Sequence, residues 1–311
     1  MANIKSVGVV GAGLVGTSWA IVFARAGLQV KVYDASESAR ENVSRQLARS
    51  LMQMSQRGLL KLSAQEVESR IEVVPTLVDA VRDADYVQES VREDLTVKRE
   101  VAAQIATAIQ AHSVVGSSTS GFPSSAFTES LKRREQFLVV HPVNPPHLVP
   151  VVEIVPAPWT SRDAVALAGA FMRQVGQRPV AVNREIDGFI LNRLQGALLD
   201  EAWRLYSAGY ASVEDIDATI SHGLGMRWSF IGPFETIDLN ASGGLAGYAE
   251  HLAPMYRRIA ETRPIEEPWS DEAVARAHAE RRSVVPSEDL RKRREWRDEM
   301  LLRLLAFKQG E

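Results

Sequence analysis

Cysteine is absent from this 311-residue chain. Its absence excludes disulfide bridges and thiolate metal sites, and no metal centre is expected. Cysteine usage leaves the redox compartment open, and a soluble protein of the reducing cytoplasm is the simplest expectation. No apolar run approaches the roughly 20 residues needed to cross a bilayer. The start Met1-Ala2-Asn3-Ile4-Lys5-Ser6 passes straight into a strand-like run, without the apolar segment of a signal peptide. Neither sign of charge dominates. The 36 basic and 39 acidic residues leave a net charge of -3, which gives nucleic acid or an anionic membrane no electrostatic case as partner. The run Arg291-Lys292-Arg293-Arg294 is surrounded by Glu288, Asp289, Glu295, Asp298 and Glu299, so it reads as a charged helix face. Internal repeats and low-complexity segments are also missing.

What is present is ordinary globular composition, 45% hydrophobic and 24% charged, in a chain long enough for two domains. Ile4–Val10 is a short apolar run ending in glycine. Trp19, Ala20, Val22, Phe23 and Ala26 form a helical apolar stripe that Gly27 stops, and Val30–Tyr33 is a second strand. This is one βαβ unit. Ser36 is placed to cap a long helix running to Gln56. Further strands are expected at Ile71–Val74, Tyr86–Gln88, Ser113–Gly116, Phe137–Val140, Val151–Val155 and Pro179–Val182, separated by helices such as Leu95–Gln110 and Ala164–Val175. Strands alternating with helices predict a mostly parallel sheet covered on both faces. After Glu185 the pattern changes to helix alone, over Phe189–Ser207, Val213–Gly223, Leu245–Thr262, Asp271–Arg282 and Leu290–Phe307, punctuated by Gly209, Gly223, Gly225, Pro233, Pro264 and Pro268. The expected architecture is α/β, a Rossmann-type doubly wound sheet over residues 1–185 followed by an all-helical domain over 186–311.

The first turn reads Gly11-Ala12-Gly13-Leu14-Val15-Gly16. Gly11 suits the tight turn after the strand, Gly13 lets backbone approach a pyrophosphate, and Gly16 lets helix and strand pack closely. The helix N-terminus then offers free N–H groups to phosphates. Asp34 lies eighteen residues beyond Gly16, at the end of strand two, where a carboxylate accepts hydrogen bonds from ribose hydroxyls and repels a 2′-phosphate. The set points to NAD over NADP, with FAD a lesser alternative. Arg40, the nearest downstream base, is expected to point into water.

A second cluster follows two later strands. Ser117-Ser118-Thr119-Ser120 comes after one, and His141-Pro142-Val143-Asn144-Pro145-Pro146 after another, with Glu153 twelve residues beyond His141. Ligands of open parallel sheets bind beyond the carboxyl ends of strands, so both segments can face the nicotinamide. A carboxylate on one ring nitrogen fixes the tautomer and frees the other nitrogen to accept a proton. Together with a dinucleotide, this suggests removal of a hydride and a proton from an alcohol. Each residue also has a plainer reading. His141 could be structural in a proline-rich turn, Ser120 could cap a helix over Phe122–Thr128, and Glu153 could be a strand-end charge. His147 is a rival base with no carboxylate similarly placed. Asn192, at the start of the first helix of the second domain, reads equally as a substrate-oxygen ligand and as a solvent-facing amide.

These residues, with the segments Ser117–Ser120, His141–Pro146, Gly188–Gln195, Gly223–Arg227, Phe230–Pro233 and Glu295–Glu299, resemble the 3-hydroxyacyl-CoA dehydrogenase family over nearly the whole chain. The resemblance implies His141 as base, Glu153 as its partner, and Ser120 and Asn192 as substrate-oxygen ligands. It also implies NAD contacts at Leu14, Val15, Asp34, Glu93 and Lys98, and a homodimer formed through the helical domain. The Gly223–Arg227 and Phe230–Pro233 segments point to a branch acting on small 3-hydroxy acids such as L-gulonate, with Arg227 suited to the acid's carboxylate. A CoA thioester would want basic groups near its phosphates, for which Arg45, Arg49, Arg57 and Lys61 are candidates. A carnitine-type trimethylammonium would want aromatics such as Trp228 or Phe230. A cofactor-binding protein without turnover is the non-enzyme alternative.

Overall fold

A computed structural model describes residues 4–262 and 269–309. Met1–Asn3, Pro264 and Pro268 lie outside the described residues. Eight strands form one sheet in the order β3-β2-β1-β4-β5-β6-β7-β8. They are β1 (Ser6–Val10), β2 (Gln29–Tyr33), β3 (Ile71–Val73), β4 (Tyr86–Glu89), β5 (Val114–Ser117), β6 (Phe137–Pro142), β7 (Val151–Pro156) and β8 (Arg178–Ala181). The first six follow the doubly wound dinucleotide-binding order, in which the chain reverses direction across the sheet between β1 and β4. Every residue of β4, β5 and β6 is buried, as expected of strands covered on both faces. One side of the core centres on Trp19, Phe23, Tyr86 and Phe171, whose rings stack or tilt at 4.7 to 6.0 Å.

The expected alternation holds with one departure that matters to the site. β6 and β7 pair antiparallel, and His141 stands directly opposite Glu153 in that register. His141 is therefore inside β6 and not in the turn after it.

The chain divides into two compact units, Met1–Arg193 with Glu295–Glu311, and Leu194–Arg294. This differs from the expected partition at 185/186. Gly188–Arg193 belongs with the sheet, and so does most of the closing helix Leu290–Gln309. On that helix Leu302 is buried in the sheet unit's core, with Leu301, Leu305 and Ala306 packed against the same cluster. Arg49 pairs with Glu295 at 2.7 Å, and Arg57 with Glu299. A shift in composition marks where strands cease, but not which unit a later helix folds onto.

The second unit contains no strand among its described residues. Val213–Ala218 continues through a wider π-type turn at Thr219–Leu224 into Gly225–Trp228. Gly223 and Gly225 thus sit within helical backbone and do not end it. Pro233 opens the helix Pro233–Leu239 at a first-turn position, where its missing N–H costs nothing. Gly244–Glu261 and Asp271–Val284 follow.

Candidate active site

The cofactor end is built by the turn between β1 and the helix Leu14–Arg25. Gly11 adopts a φ of +106°. A Cβ at Gly16 would drive into the Gly11 carbonyl, whereas one at Gly13 would meet nothing within 4 Å. The third glycine is thus required by packing, and the second leaves backbone open where a pyrophosphate approaches. Leu14 is 73% exposed at the head of the helix. Gly11, Gly13, Leu14 and Val15 line one cleft of about 1030 Å³ that also takes in Asp34, Glu93, Ser120 and His141. A single cleft therefore joins the ribose end to the histidine. These residues fit a dinucleotide: an uncovered Gly-rich turn, a helix N-terminus and an acid at the end of β2.

Asp34 is tied in place. Its Oδ2 accepts the Ala12 N–H at 2.7 Å and its Oδ1 the Ser36 N–H at 2.8 Å. Each oxygen keeps lone-pair capacity for a ribose hydroxyl. Arg40 does not point into water. Its Nη1 donates to the carbonyls of Asp34 and Ala35 at 2.6 and 3.5 Å.

At the other end, His141 Nδ1 lies 2.8 Å from Glu153 Oε2, both side chains being buried. The second oxygen of Glu153 accepts the N–H groups of Ile190 and Leu191 at 2.8 and 3.0 Å. One carboxylate therefore orients the imidazole and ties down the start of the helix Leu191–Ser207, which carries Asn192. Burial pushes the Glu153 carboxyl up, but the hydrogen bond from His141 and the Leu191 and Ile190 N–H donors outweigh it and hold the group below its usual range. An ionised Glu153 accepts from Nδ1–H, which leaves Nε2 as the free acceptor. The Phe189 ring lies 5.5 Å from the imidazole.

The serine segment is held by Glu93. Its Oε1 accepts the Thr119 hydroxyl at 2.6 Å and the N–H groups of Ser120 and Gly121 at 2.9 and 3.0 Å. Its other oxygen lies 3.3 Å from Lys98 Nζ. Burial raises the Glu93 carboxyl, and the Thr119 bond, the Lys98 charge and the two N–H donors bring it below the ordinary value. Asn192 Nδ2 donates to the Ser120 carbonyl at 2.7 Å. Ser120 does not cap the helix Ser125–Thr128, which is preceded by Ser124.

Lys98 is only 1% exposed and also lies 3.2 Å from both oxygens of buried Glu89. It braces Glu93 from behind and does not line the cleft. Glu89 was not singled out from the sequence, although an acid closing the apolar strand β4 was a usable signal. It further accepts the Val91 N–H and the Ser117 hydroxyl.

His147 does not rival His141. Its Nδ1 is 3.0 Å from Ser18 Oγ, outside the cleft-lining set. Burial, with Arg25 adding to it against the opposing charge of Asp298, lowers its pKa to about 4. Arg227 lies on Gly225–Trp228 in the second unit and is exposed. Trp228 and Phe230 are 40% and 56% exposed.

A Gly-rich turn, an acid closing β2 and a histidine facing the same cleft define an NAD-dependent oxidoreductase of the kind that acts on alcohols. Residues 6–186 match the 3-hydroxyacyl-CoA dehydrogenase NAD-binding domain and residues 188–285 the C-terminal domain, and the chain belongs to that family. It is 40% identical to the lambda-crystallin homolog of Homo sapiens over 96% of this chain and 95% of that one. It is 37% identical to the L-carnitine dehydrogenase of Streptomyces griseus over 81% of this chain and 75% of that one. Among solved structures it is similar to a 3-hydroxyacyl-CoA dehydrogenase of Archaeoglobus fulgidus, at 31% identity and a TM-score of 0.69 over 86% of this chain and 85% of that one.

Proposed function

We propose that the chain oxidises the 3-hydroxyl of a small free 3-hydroxy acid, of the L-gulonate type, with NAD as acceptor. The observation that carries the reading is the Glu153 carboxylate, which holds His141 with one oxygen and the helix start before Asn192 with the other. His141 Nε2 takes the proton of the substrate hydroxyl, and Glu153 stabilises the imidazolium that forms. Such proton transfer contributes about 10²–10⁴-fold in rate. Ser120 Oγ and the second N–H of the Asn192 amide hold the substrate oxygen. Bound in the cleft lined by Gly11, Gly13, Leu14, Val15 and Asp34, NAD would supply the hydride acceptor for the carbinol carbon.

A free acid is read over a CoA thioester from the resemblance of the Gly223–Arg227 and Phe230–Pro233 segments. Of the four basic candidates for CoA phosphates, Arg49 and Arg57 pair with Glu295 and Glu299 of the closing helix while staying partly exposed, so the substrate panel below separates the two readings. Arg227 is the proposed partner of the acid's carboxylate. A charged hydrogen bond of this kind contributes about 1.5–3 kcal/mol. The test follows NADH absorbance with L-gulonate, L-carnitine, simple 3-hydroxy acids and 3-hydroxybutyryl-CoA. L-Gulonate or another free acid should give the highest kcat/KM, and Arg227→Met should lower it for acids while sparing a neutral analogue. Better turnover of 3-hydroxybutyryl-CoA than of every free acid would replace this reading by acyl-CoA oxidation. Absence of turnover with the whole panel would favour a cofactor-binding protein.

The proposed assembly is a homodimer through the helical unit, in a cytoplasmic setting. Among the described residues of 194–294, only Tyr206, Thr236, Ala273 and Ala277 are buried, while Leu194, Met226, Phe230, Phe234 and Leu239 are 56% to 74% exposed. So little internal burial does not stabilise a helical unit by itself.

A further inference from the structure

A chain of polar groups runs from the core to the cleft, and the count of donors fixes its sense. Tyr86 is fully buried, and burial pushes its phenol well above the usual value, so it keeps its proton. Its hydroxyl donates to Gln88 Oε1 at 2.7 Å. Gln88 Nε2 faces the other way, donating to Ser118 Oγ at 2.8 Å and to the Val140 carbonyl at 3.3 Å. The opposite amide orientation would set Oε1 against the Val140 oxygen, acceptor against acceptor. Ser118 Oγ also accepts from Trp19 Nε1 at 3.1 Å. A hydroxyl has two acceptor sites and one hydrogen. Both acceptor sites of Ser118 are filled, so its hydrogen goes to Ser90 Oγ, 2.8 Å away. Ser90 accepts it and turns its own hydrogen to the cleft, which both serines line.

The strand order says what that hydrogen meets. The chain leaves β2 at Asp34, β1 at Gly11, β4 at Ser90 and β5 at Ser118, in that order across the sheet, with His141 on β6 beyond. Neighbouring strands are about 4.8 Å apart. Ser90 adjoins the Gly-rich turn: its N–H donates to the Val10 carbonyl at 2.7 Å, and a Cβ on Gly11 would strike its carbonyl. A dinucleotide with its adenosine ribose at Asp34 and its pyrophosphate at the turn brings its second ribose to Ser90 before the ring reaches His141. We propose that the Ser90 hydroxyl donates to an oxygen of the nicotinamide-side ribose, with Ser118 as the positioning residue that holds it in that sense. This inference rests on the cleft holding NAD with its adenosine ribose at Asp34.

The experiment is calorimetric titration of the full chain with NAD, ADP-ribose, ADP and AMP, which reads binding and not turnover. ADP-ribose keeps the second ribose, and ADP and AMP lack it. Ser90→Ala should weaken NAD and ADP-ribose alike by about three- to tenfold, the range of one neutral hydrogen bond, and leave ADP and AMP unchanged. Ser90→Thr, which keeps the hydroxyl, should restore native affinity. Ser118→Ala should weaken ADP-ribose in the native background and change nothing further once Ser90 is alanine, because it acts only through that hydroxyl. The proposal is overturned if Ser90→Ala leaves ADP-ribose affinity intact, or if it weakens ADP and AMP equally. Additive losses from the two serines would overturn the positioning role of Ser118. A native chain that binds neither NAD nor AMP would overturn it differently, by removing the cofactor seat itself.

Discussion

Replacing Glu153 by Gln changes one oxygen to an NH2 and little else in shape, yet the carboxylate has two incompatible duties for an amide. One oxygen faces His141 Nδ1, and the other accepts two N–H groups. If the amide oxygen stays on Ile190 and Leu191, the NH2 faces Nδ1. Nδ1 must then accept, and Nε2 carries the proton, so the ring cannot act as base. If the amide flips, two backbone donors point at an NH2, and leaving buried donors unsatisfied costs about 1–3 kcal/mol. The first arrangement wins, and it is the wrong tautomer for catalysis. An acid-to-amide change behind a catalytic histidine elsewhere lowers kcat by about 10⁴-fold. A fall of about 10²–10⁴-fold is expected here, equivalent to about 2.7–5.5 kcal/mol of barrier. The assay is initial rate by NADH absorbance, with NAD affinity measured separately and expected to be unchanged. Raising the pH should not restore the rate, because the defect is the position of a proton and not the basicity of the ring. A Glu153→Gln enzyme with native kcat at neutral pH would refute the reasoning.

His141→Ala and His141→Asn should each abolish most turnover with NAD binding nearly intact, since the imidazole sits at the far end of the cleft from Asp34; loss of cofactor affinity in step with rate would assign His141 to the cofactor instead. His147, lowered to about 4 from an unfolded value near 6.5, makes stability depend on pH. Between those values the unfolded chain holds a proton that the folded chain lacks, so stability is full above about 6.5 and falls as pH drops toward about 4, by about 3 kcal/mol at most. Urea unfolding at several pH values should show this slope, and His147→Gln should flatten it. Sedimentation at micromolar concentration should give a dimer, and a stable, active monomer would contradict the proposed assembly.

Much of the fold was legible because its signals are short-range. Alternating apolar runs located all eight strands to within two residues. The spacing of Gly11, Gly13, Gly16 and Asp34 is read along a single βαβ unit, where neighbours in sequence are neighbours in space. His141 and Glu153 could be named as a pair from chemistry. What puts them in contact is their antiparallel register, and twelve residues of separation do not specify a direction of pairing.

The sequence by itself therefore determined the class of domain, the cofactor turn and the chemical types gathered near it, since these follow from local periodicity and from residues a few positions apart. Tertiary structure alone decided how those residues are used. It turned Arg40 back onto the Asp34 carbonyl, enclosed Lys98 between two carboxylates, withdrew His147 from the cleft and returned the closing helix to the sheet unit. Each of these depends on burial or on partners brought together by folding. A charged side chain looks the same in sequence whether it meets water, a carbonyl or an opposite charge, and only its surroundings in space distinguish the three.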